Sequence, residues 1–204
     1  MVIIILQVLG TTAFVVGTLV LGLVLRRHPT KQQAERISRV SHGFYWVALV
    51  LPGVIGIFYP GLSNFDEILG LPSLPERSVA LALGSVAVLV GVYLIFASVV
   101  ALRRLGEGAN AFWLTQRLVT GNLYARCRNP MSLGYYLLCL GIGLIAGSTY
   151  VILACLLGIL PAHIFNLLYF EEYELALRLG PSYLEYKRSV PFLIPRLGSR
   201  APRT

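Results

Sequence analysis

The stretch LGYYLLCLGIGLIAGSTYVILACLLGILPAHIFNLLYF, Leu133–Phe170, decides what kind of chain this is. It holds no Asp, Glu, Lys or Arg. Its two apolar runs are separated only by Gly147-Ser148-Thr149, long enough for a tight turn and nothing more. The sequence therefore predicts two helices folded into a hairpin, Leu133–Ala146 and Tyr150–Phe170. At 1.5 Å per residue the second reaches about 30 Å, the thickness of a bilayer's hydrocarbon core. The first is shorter and needs its flanking residues, or a thinned bilayer, to cross.

Outward from the hairpin the pattern repeats. Apolar runs extend over Val2–Leu25, over Gly43–Tyr59 with Pro52 inside, and over Ser78–Leu102. The first run has no basic segment before it and no small-residue cleavage signal, so it reads as a retained span and not a signal peptide. The chain is 56% hydrophobic and 13% charged over 204 residues, against roughly 25% charged in soluble domains. So few charges cannot coat a water-facing surface. The expectation is an all-α integral membrane protein of about five transmembrane helices, forming a single membrane domain over residues 1–204.

The net charge of +8 does not point to nucleic acid, because the basic residues sit in the gaps between apolar runs. Arg26, Arg27, Lys31, Arg36 and Arg39 separate the first two. Arg103, Arg104, Arg117, Arg126 and Arg128 separate the third and fourth. Arg178, Lys187, Arg188, Arg196, Arg200 and Arg203 follow the fifth. Only Arg77 falls in the intervening gap, beside Asp66, Glu67 and Glu76 in an irregular loop with Pro60-Gly61 and Pro72 through Pro75. The positive-inside rule makes the basic side cytoplasmic and places the N-terminus outside. The absence of a long soluble tail or targeting signal suits a bacterial or archaeal inner membrane, with an endoplasmic reticulum membrane as the alternative.

Chemistry has two places to live, both on the basic side. The segment RRLGEGANAFWLTQRLVTGNLYARCRNPMS, Arg103–Ser132, carries Gly106, Gly108 and Gly121, and closely spaced glycines let a backbone approach a ligand. Its plainer reading is an interfacial loop with Phe112 and Trp113 at the lipid boundary. Cys127 lies there as a candidate reactive thiol, whereas Cys139 and Cys155 read as buried hydrophobes. The three histidines, His28, His42 and His163, lack zinc-site spacing. In the second place, no helix breaker falls between Ala162 and Leu179, and Gly180-Pro181 is a stop signal. The last helix should run on past the membrane carrying Glu171, Glu172 and Glu174. Glu174 has Arg178 one turn on and reads as a solvated pair. Glu171 and Glu172 have no basic neighbour on their own helix. They call for a bound cation or an arginine from the Arg103–Arg128 loop, unless both face water. The tail Tyr183–Arg196 mixes aromatics and bases and reads as an amphipathic segment on the headgroups.

Taken in order, Leu118-Val119-Thr120-Gly121-x-x-Tyr124, Arg128-Asn129-Pro130-Met131-x-x-Gly134, Glu171-Glu172, Leu179-Gly180-x-x-Tyr183-x-x-Tyr186 and Val190-Pro191 resemble the isoprenylcysteine carboxyl methyltransferase family. More broadly they resemble the membrane methyltransferases that include phospholipid N-methyltransferases. The resemblance covers roughly Gly106–Pro195. It divides the chain into three N-terminal spans, 1–102, and a catalytic part, 103–204. It implies an enzyme dependent on S-adenosylmethionine, acting on a lipidic or membrane-partitioning acceptor that enters from the bilayer. By position it implies cofactor contacts at Gln116, Leu118, Val119, Tyr124, Asn129, Pro130, Met131, Ser132 and Glu171. Either Glu171 or Glu172 would pair the cofactor's ammonium. Arg128, or backbone N–H groups near Gly121 and Asn129, would hold its carboxylate. Glu172 would be the base if the acceptor is an amine.

Three positions depart from the prenylcysteine pattern. Asn129 replaces a histidine, Ser132 replaces a tyrosine, and Leu167 replaces an arginine that contacts substrate. Leu167 counts against a prenylcysteine carboxylate, Asn129 and Leu167 favour a phospholipid amine, and Ser132 removes an aromatic wall of the pocket; a small thiol is a further acceptor. An NADPH-dependent reductase of sterol type shares the layout, but would need a basic cluster for its 2′-phosphate. A non-enzymatic membrane protein is the remaining class. The oligomeric state is not encoded in any legible feature.

Overall fold

The computed structural model describes residues 1–108 and 114–196, apart from 73 and 75. Phe112, Trp113, Pro75, Arg200 and Arg203 therefore lie outside the described residues. Every regular element among those described is helical. They are α1 (Val2–Arg27), α2 (Lys31–Phe58), α3 (Asn64–Leu69), α4 (Arg77–Leu105), α5 (Pro130–Ala146), α6 (Thr149–Leu179) and α7 (Pro181–Ser189). α1, α2, α4 and α6 are long and apolar enough to cross a membrane. α5, 17 residues long, spans only about 26 Å by itself.

Two of these boundaries differ from the sequence expectation. The basic stretch after the first span is not a loop. Only His28, Pro29 and Thr30 separate α1 from α2, and Thr30 caps α2 by accepting the Gln33 N–H at 3.2 Å. Periodicity explains this, because Ala34, Ile37, Ser38 and Ser41 form a buried stripe on an otherwise charged helix. Likewise Thr149 belongs to α6. Gly147 takes the left-handed conformation (φ 71°), and the Ser148 hydroxyl accepts the Val151 N–H at 3.2 Å.

α2 and α6 each contain prolines, and each meets its proline with a widened π-turn. Trp46–Val50 precedes Pro52, and Ala154–Ile159 precedes Pro161. Proline has no N–H and crowds the carbonyl four residues back, and a π-turn absorbs both effects. At Pro52 the consequence is visible, since a Cβ at Gly10 of α1 would sit 2.2 Å from the Ala48 carbonyl oxygen. Gly10 lets α1 press directly on that stretch of backbone. A third π-turn, Leu167–Glu171, ends at the first of the paired acids.

Packing divides the helices into two groups. α4 and α5 lie antiparallel in backbone contact. A Cβ at Gly91 would be 2.7 Å from the Gly134 oxygen, and one at Gly141 would be 2.8 Å from the Gly84 oxygen. Small residues permit this approach in lipid, where the hydrophobic effect does not drive helices together. The second group is α1, α2 and α6, joined by Phe14, Ala48, Leu49 and Ala162 and by Asn166 donating to the Thr18 and Ser41 hydroxyls at 3.0 and 3.3 Å. Leu83, Leu89 and Phe96 on α4 are exposed and form a face for lipid. The end without the arginine clusters is sealed by Asp66 of α3. Its carboxylate accepts the Thr149 and Tyr150 N–H groups at 2.9 and 2.6 Å, while Phe65 stacks on Tyr150 at 4.7 Å.

The glycine contact gives a direct expectation. Gly91→Ala should destabilise the protein by about 1–3 kcal/mol through overpacking, read as a lowered unfolding temperature in detergent. Gly158→Ala, whose added Cβ meets nothing within 4 Å, should be neutral or slightly stabilising; equal losses in both variants would refute the glycine-mediated contact.

Candidate functional site

Between the two helix groups lies a cavity of about 1030 Å³. It begins among Leu118, Val119, Arg128, Asn129 and Glu171 at the basic end and reaches Ile57, Leu62 and Phe65 at the other.

The basic end is built by a loop and a tail locked together. Gly106 ends α4, and its carbonyl accepts the N–H groups of Gln116 and Arg117 at 2.7 and 3.2 Å, pinching the segment shut. A side chain could not fit there, since a Cβ on Gly106 would lie 2.6 Å from Thr115. The N–H groups of Gly106 and Gly108 both point back to the Leu102 carbonyl. These glycines shape the loop and do not present donors to a ligand. From there Val119 and Tyr124 pack on Ala101. Tyr186 of α7 donates to the Tyr124 carbonyl at 2.8 Å.

Arg128 staples the tail. Its guanidinium donates to Glu172 Oε1 at 2.6 Å and to the carbonyls of Val190 at 3.2 Å and Lys187. Its backbone N–H reaches the Pro191 carbonyl at 2.9 Å, and the Arg196 N–H reaches the Arg126 carbonyl at 3.2 Å. Asn129 donates to the Phe192 carbonyl at 3.1 Å. The tail is thus not an anchor spread on headgroups. Tyr183, Tyr186 and Val190 are buried against Leu118 and Leu175, and the segment roofs the cavity. Apolar residues on one face of α7 suit a protein groove as well as a lipid surface, which is why the sequence pattern misled.

The acids divide three ways. Glu172 is bound by Arg128 and, through Oε2, by Lys187 at 2.6 Å. Glu174 and Arg178 form an ion pair as expected, but it is buried, not solvated, with side chains 1% and 4% exposed. Arg178 also donates to the Thr115 carbonyl at 2.7 Å, so this pair ties the loop to α6. Glu171 lines the cavity and, among the described residues, has no ion-pair partner. Adjacent positions on a helix point about 100° apart, so one acid faces the tail and its neighbour faces the cavity.

Of the residues singled out from sequence, Leu118, Val119, Tyr124, Arg128, Asn129, Met131, Ser132 and Glu171 line the cavity. Gln116, Pro130 and Glu172 do not. Gln116 donates to the Leu114 carbonyl at 2.7 Å, Pro130 starts α5, and Glu172 serves the clamp. Sequence reasoning missed Thr115, Tyr135, Glu174, Arg178, Tyr183 and His163, all of which reach the cavity. For His163 there was a signal, an ionisable group in the middle of an apolar span. Burial pushes the Cys127 thiol up, so it is not a reactive thiolate. Burial likewise raises Tyr124, Tyr183 and Tyr186, which keeps these hydroxyls protonated as hydrogen-bond donors.

The structure is thus an all-helical bundle whose largely apolar cavity is roofed at its basic end by the tail. Residues 79–178 match the phospholipid methyltransferase family, and this match runs from the start of α4 to the Glu174–Arg178 pair. That segment, just under half of the chain, thus belongs to the phospholipid methyltransferase family, part of the group of membrane methyltransferases that resemble isoprenylcysteine carboxyl methyltransferase. Neither curated proteins nor solved structures contain a match.

The clamp predicts that Glu172→Gln costs about 3 kcal/mol, at the low end for breaking a buried pair because Lys187 remains partly solvated. Thermal unfolding should drop, and trypsin should cut after Lys187 and Arg188 sooner than in the wild type; unchanged proteolysis would refute a tail held by this pair.

Proposed function

We propose that the protein transfers a methyl group from S-adenosylmethionine to the headgroup amine of a phospholipid, with the basic end of the bundle in the cytoplasm. The observation that carries the reading is the continuity of one cavity, which runs from a free carboxylate at the basic end to apolar walls at the opposite membrane face. A water-soluble cofactor and a lipid can therefore meet inside it.

The residues suit the cofactor. Glu171 offers an unpaired carboxylate for an ammonium group, an attraction that gains strength where water is excluded. Arg128 keeps a buried Nε–H without an acceptor, a donor available to a carboxylate. Leu118 and Val119 supply apolar cover for an adenine. When bound, S-adenosylmethionine supplies an electrophilic methyl on sulfur. The chain itself then aligns donor and acceptor and keeps water out. The roof made by Tyr183, Tyr186 and Val190 serves the second purpose, and Arg128 with Glu172 holds that roof.

The acceptor follows from the rest of the cavity. Toward the far end it is lined by Val54, Ile57, Leu62 and Phe65, which suit acyl chains. By the resemblance, Leu167 replaces the arginine that a prenylcysteine carboxylate would need; its side chain is buried and does not line the cavity. A dinucleotide with a 2′-phosphate is less well served, because Arg128 and Arg178 are already committed to Glu172 and Glu174.

Calorimetry on the detergent-purified protein tests the cofactor. S-adenosylmethionine should bind saturably, and Glu171→Gln should weaken it by about 1.5–3 kcal/mol, the range for a charge-assisted hydrogen bond. Absence of binding to folded protein would overturn the proposal, and binding of NADPH in its place would move the case to a reductase.

A further inference from the structure

Midway along the cavity, below the cofactor end, α6 carries His163. Its ring is fixed on three sides. Nδ1 lies 2.9 Å from the Tyr136 hydroxyl of α5. The Tyr45 ring of α2 lies against it at 4.9 Å and 32°, and the Tyr135 ring meets it edge-on at 6.2 Å and 81°. Tyr136 is 2% exposed and sits behind the ring, whereas His163, Tyr45 and Tyr135 line the cavity. Among the described residues Nε2 has no protein hydrogen-bond partner. A side chain held this firmly, with one nitrogen engaged behind and the other open to a cavity, is oriented for work at Nε2.

An amine acceptor needs such a group. At neutral pH a headgroup amine is an ammonium with no lone pair, and it must lose a proton before it can attack a methyl carbon. Glu172 does not serve, because both its oxygens are held by Arg128 and Lys187. Glu171 stands two helical turns further along, where the cofactor's own ammonium is placed.

We propose that His163 is the catalytic base on the acceptor side, accepting a headgroup proton at Nε2 while Nδ1–H donates to Tyr136. This rests on the methyltransferase reading above. The ammonium N–H bond breaks and its proton passes to Nε2. The freed nitrogen pair forms the N–CH3 bond as the S–CH3 bond breaks, and that electron pair returns to sulfur, leaving a neutral thioether. The imidazolium then returns its proton to water. Ser41 and Asn166, one turn away and also on the cavity wall, make this stretch polar enough for a headgroup within an otherwise apolar span. The titratable groups around the ring are His42 and Tyr45 of α2, Tyr135, Tyr136 and Cys139 of α5, and Cys155 and Glu171 of α6. His42 is the other imidazole on the cavity wall, its Nδ1–H donating to the Ser38 carbonyl at 2.8 Å. His163 differs in being packed between the Tyr45 and Tyr135 rings with Tyr136 behind it.

Two measurements test the assignment. In vesicles of phosphatidylglycerol and phosphatidylethanolamine, with labelled S-adenosylmethionine, His163→Gln should lose about 100-fold or more in kcat, the lower bound for removing a general base. Its affinity for S-adenosylmethionine by calorimetry should stay unchanged. The wild-type rate should fall as pH drops, because a protonated ring cannot accept, and Tyr136→Phe should move that limb. Retention of the rate within about threefold overturns the proposal. So does binding of S-adenosylmethionine by the wild type without transfer to the amine lipid. Absence of S-adenosylmethionine binding would instead remove the underlying methyltransferase reading, and the proposal with it. Independently of turnover and of any variant's folding, the wild-type ring can be observed by NMR with 13C-labelled histidine, of which there are three. Dodecylammonium should shift the His163 resonance and dodecyltrimethylammonium, with no N–H to donate, should not. Equal responses to both would overturn the contact.

Discussion

Backbone contact between α4 and α5 at Gly84, Gly91, Gly134 and Gly141 is the constraint on which the rest of the molecule depends. In lipid, helices gain little from burying apolar side chains, since acyl chains are equally apolar. What binds them is close van der Waals approach, and only glycine permits it at these four positions. The pair thereby becomes a flat, rigid wall. The α1–α2–α6 group coheres separately through Phe14, Gly10 and the Asn166 hydrogen bonds. Two tight groups joined at their ends leave a space between them, and that space is the cavity.

The ends are closed by electrostatics of two kinds. At the far end the Asp66 carboxylate meets the first N–H groups of α6, a favourable site for negative charge. At the basic end two buried ion pairs do the work. Glu174–Arg178 ties the loop to α6, and Glu172–Arg128 ties the tail to the loop. Each acid is neutralised by a neighbour, so the charge of the site itself resides in Glu171. A cluster of three glutamates thus resolves into two held in ion pairs and one that lines the cavity without one among the described residues. The same economy applies to the arginines of the segment before α5, where Arg128 serves the clamp and keeps one buried Nε–H without an acceptor.

Depth along the cavity sorts the chemistry. Charged groups lie at the basic end, among them Arg128, Glu171, Glu174 and Arg178. Hydroxyls, an amide and an imidazole occupy the middle. Aliphatic and aromatic side chains line most of the rest, with Gln7, Thr11 and Thr12 of α1 among them. Such a gradient matches a lipid that enters headgroup first toward the cofactor, and it explains why polar residues are tolerated in α6 at Asn166 and His163, which face protein and cavity and not acyl chains.

Much of this was legible in the sequence. Apolar runs, proline and glycine stops and the placement of arginines determine the helices, their order and the continuation of α6 to Leu179, because lipid imposes length and polarity on any segment that crosses it. The ordered motifs determine the family and most of the cavity lining. The seven-residue spacing of the glycine pairs was there to be read, but spacing alone does not say which helices pair. Other features only the tertiary structure decided. An i, i+4 pair such as Glu174–Arg178 has the same sequence form whether solvated or buried, and a tail with one apolar face fits a groove or a membrane alike. Which of Glu171 and Glu172 faces the cavity depends on the helix's rotation, set by a π-turn. That His163 meets Tyr136 and Tyr45 depends on three helices converging, which local sequence does not encode.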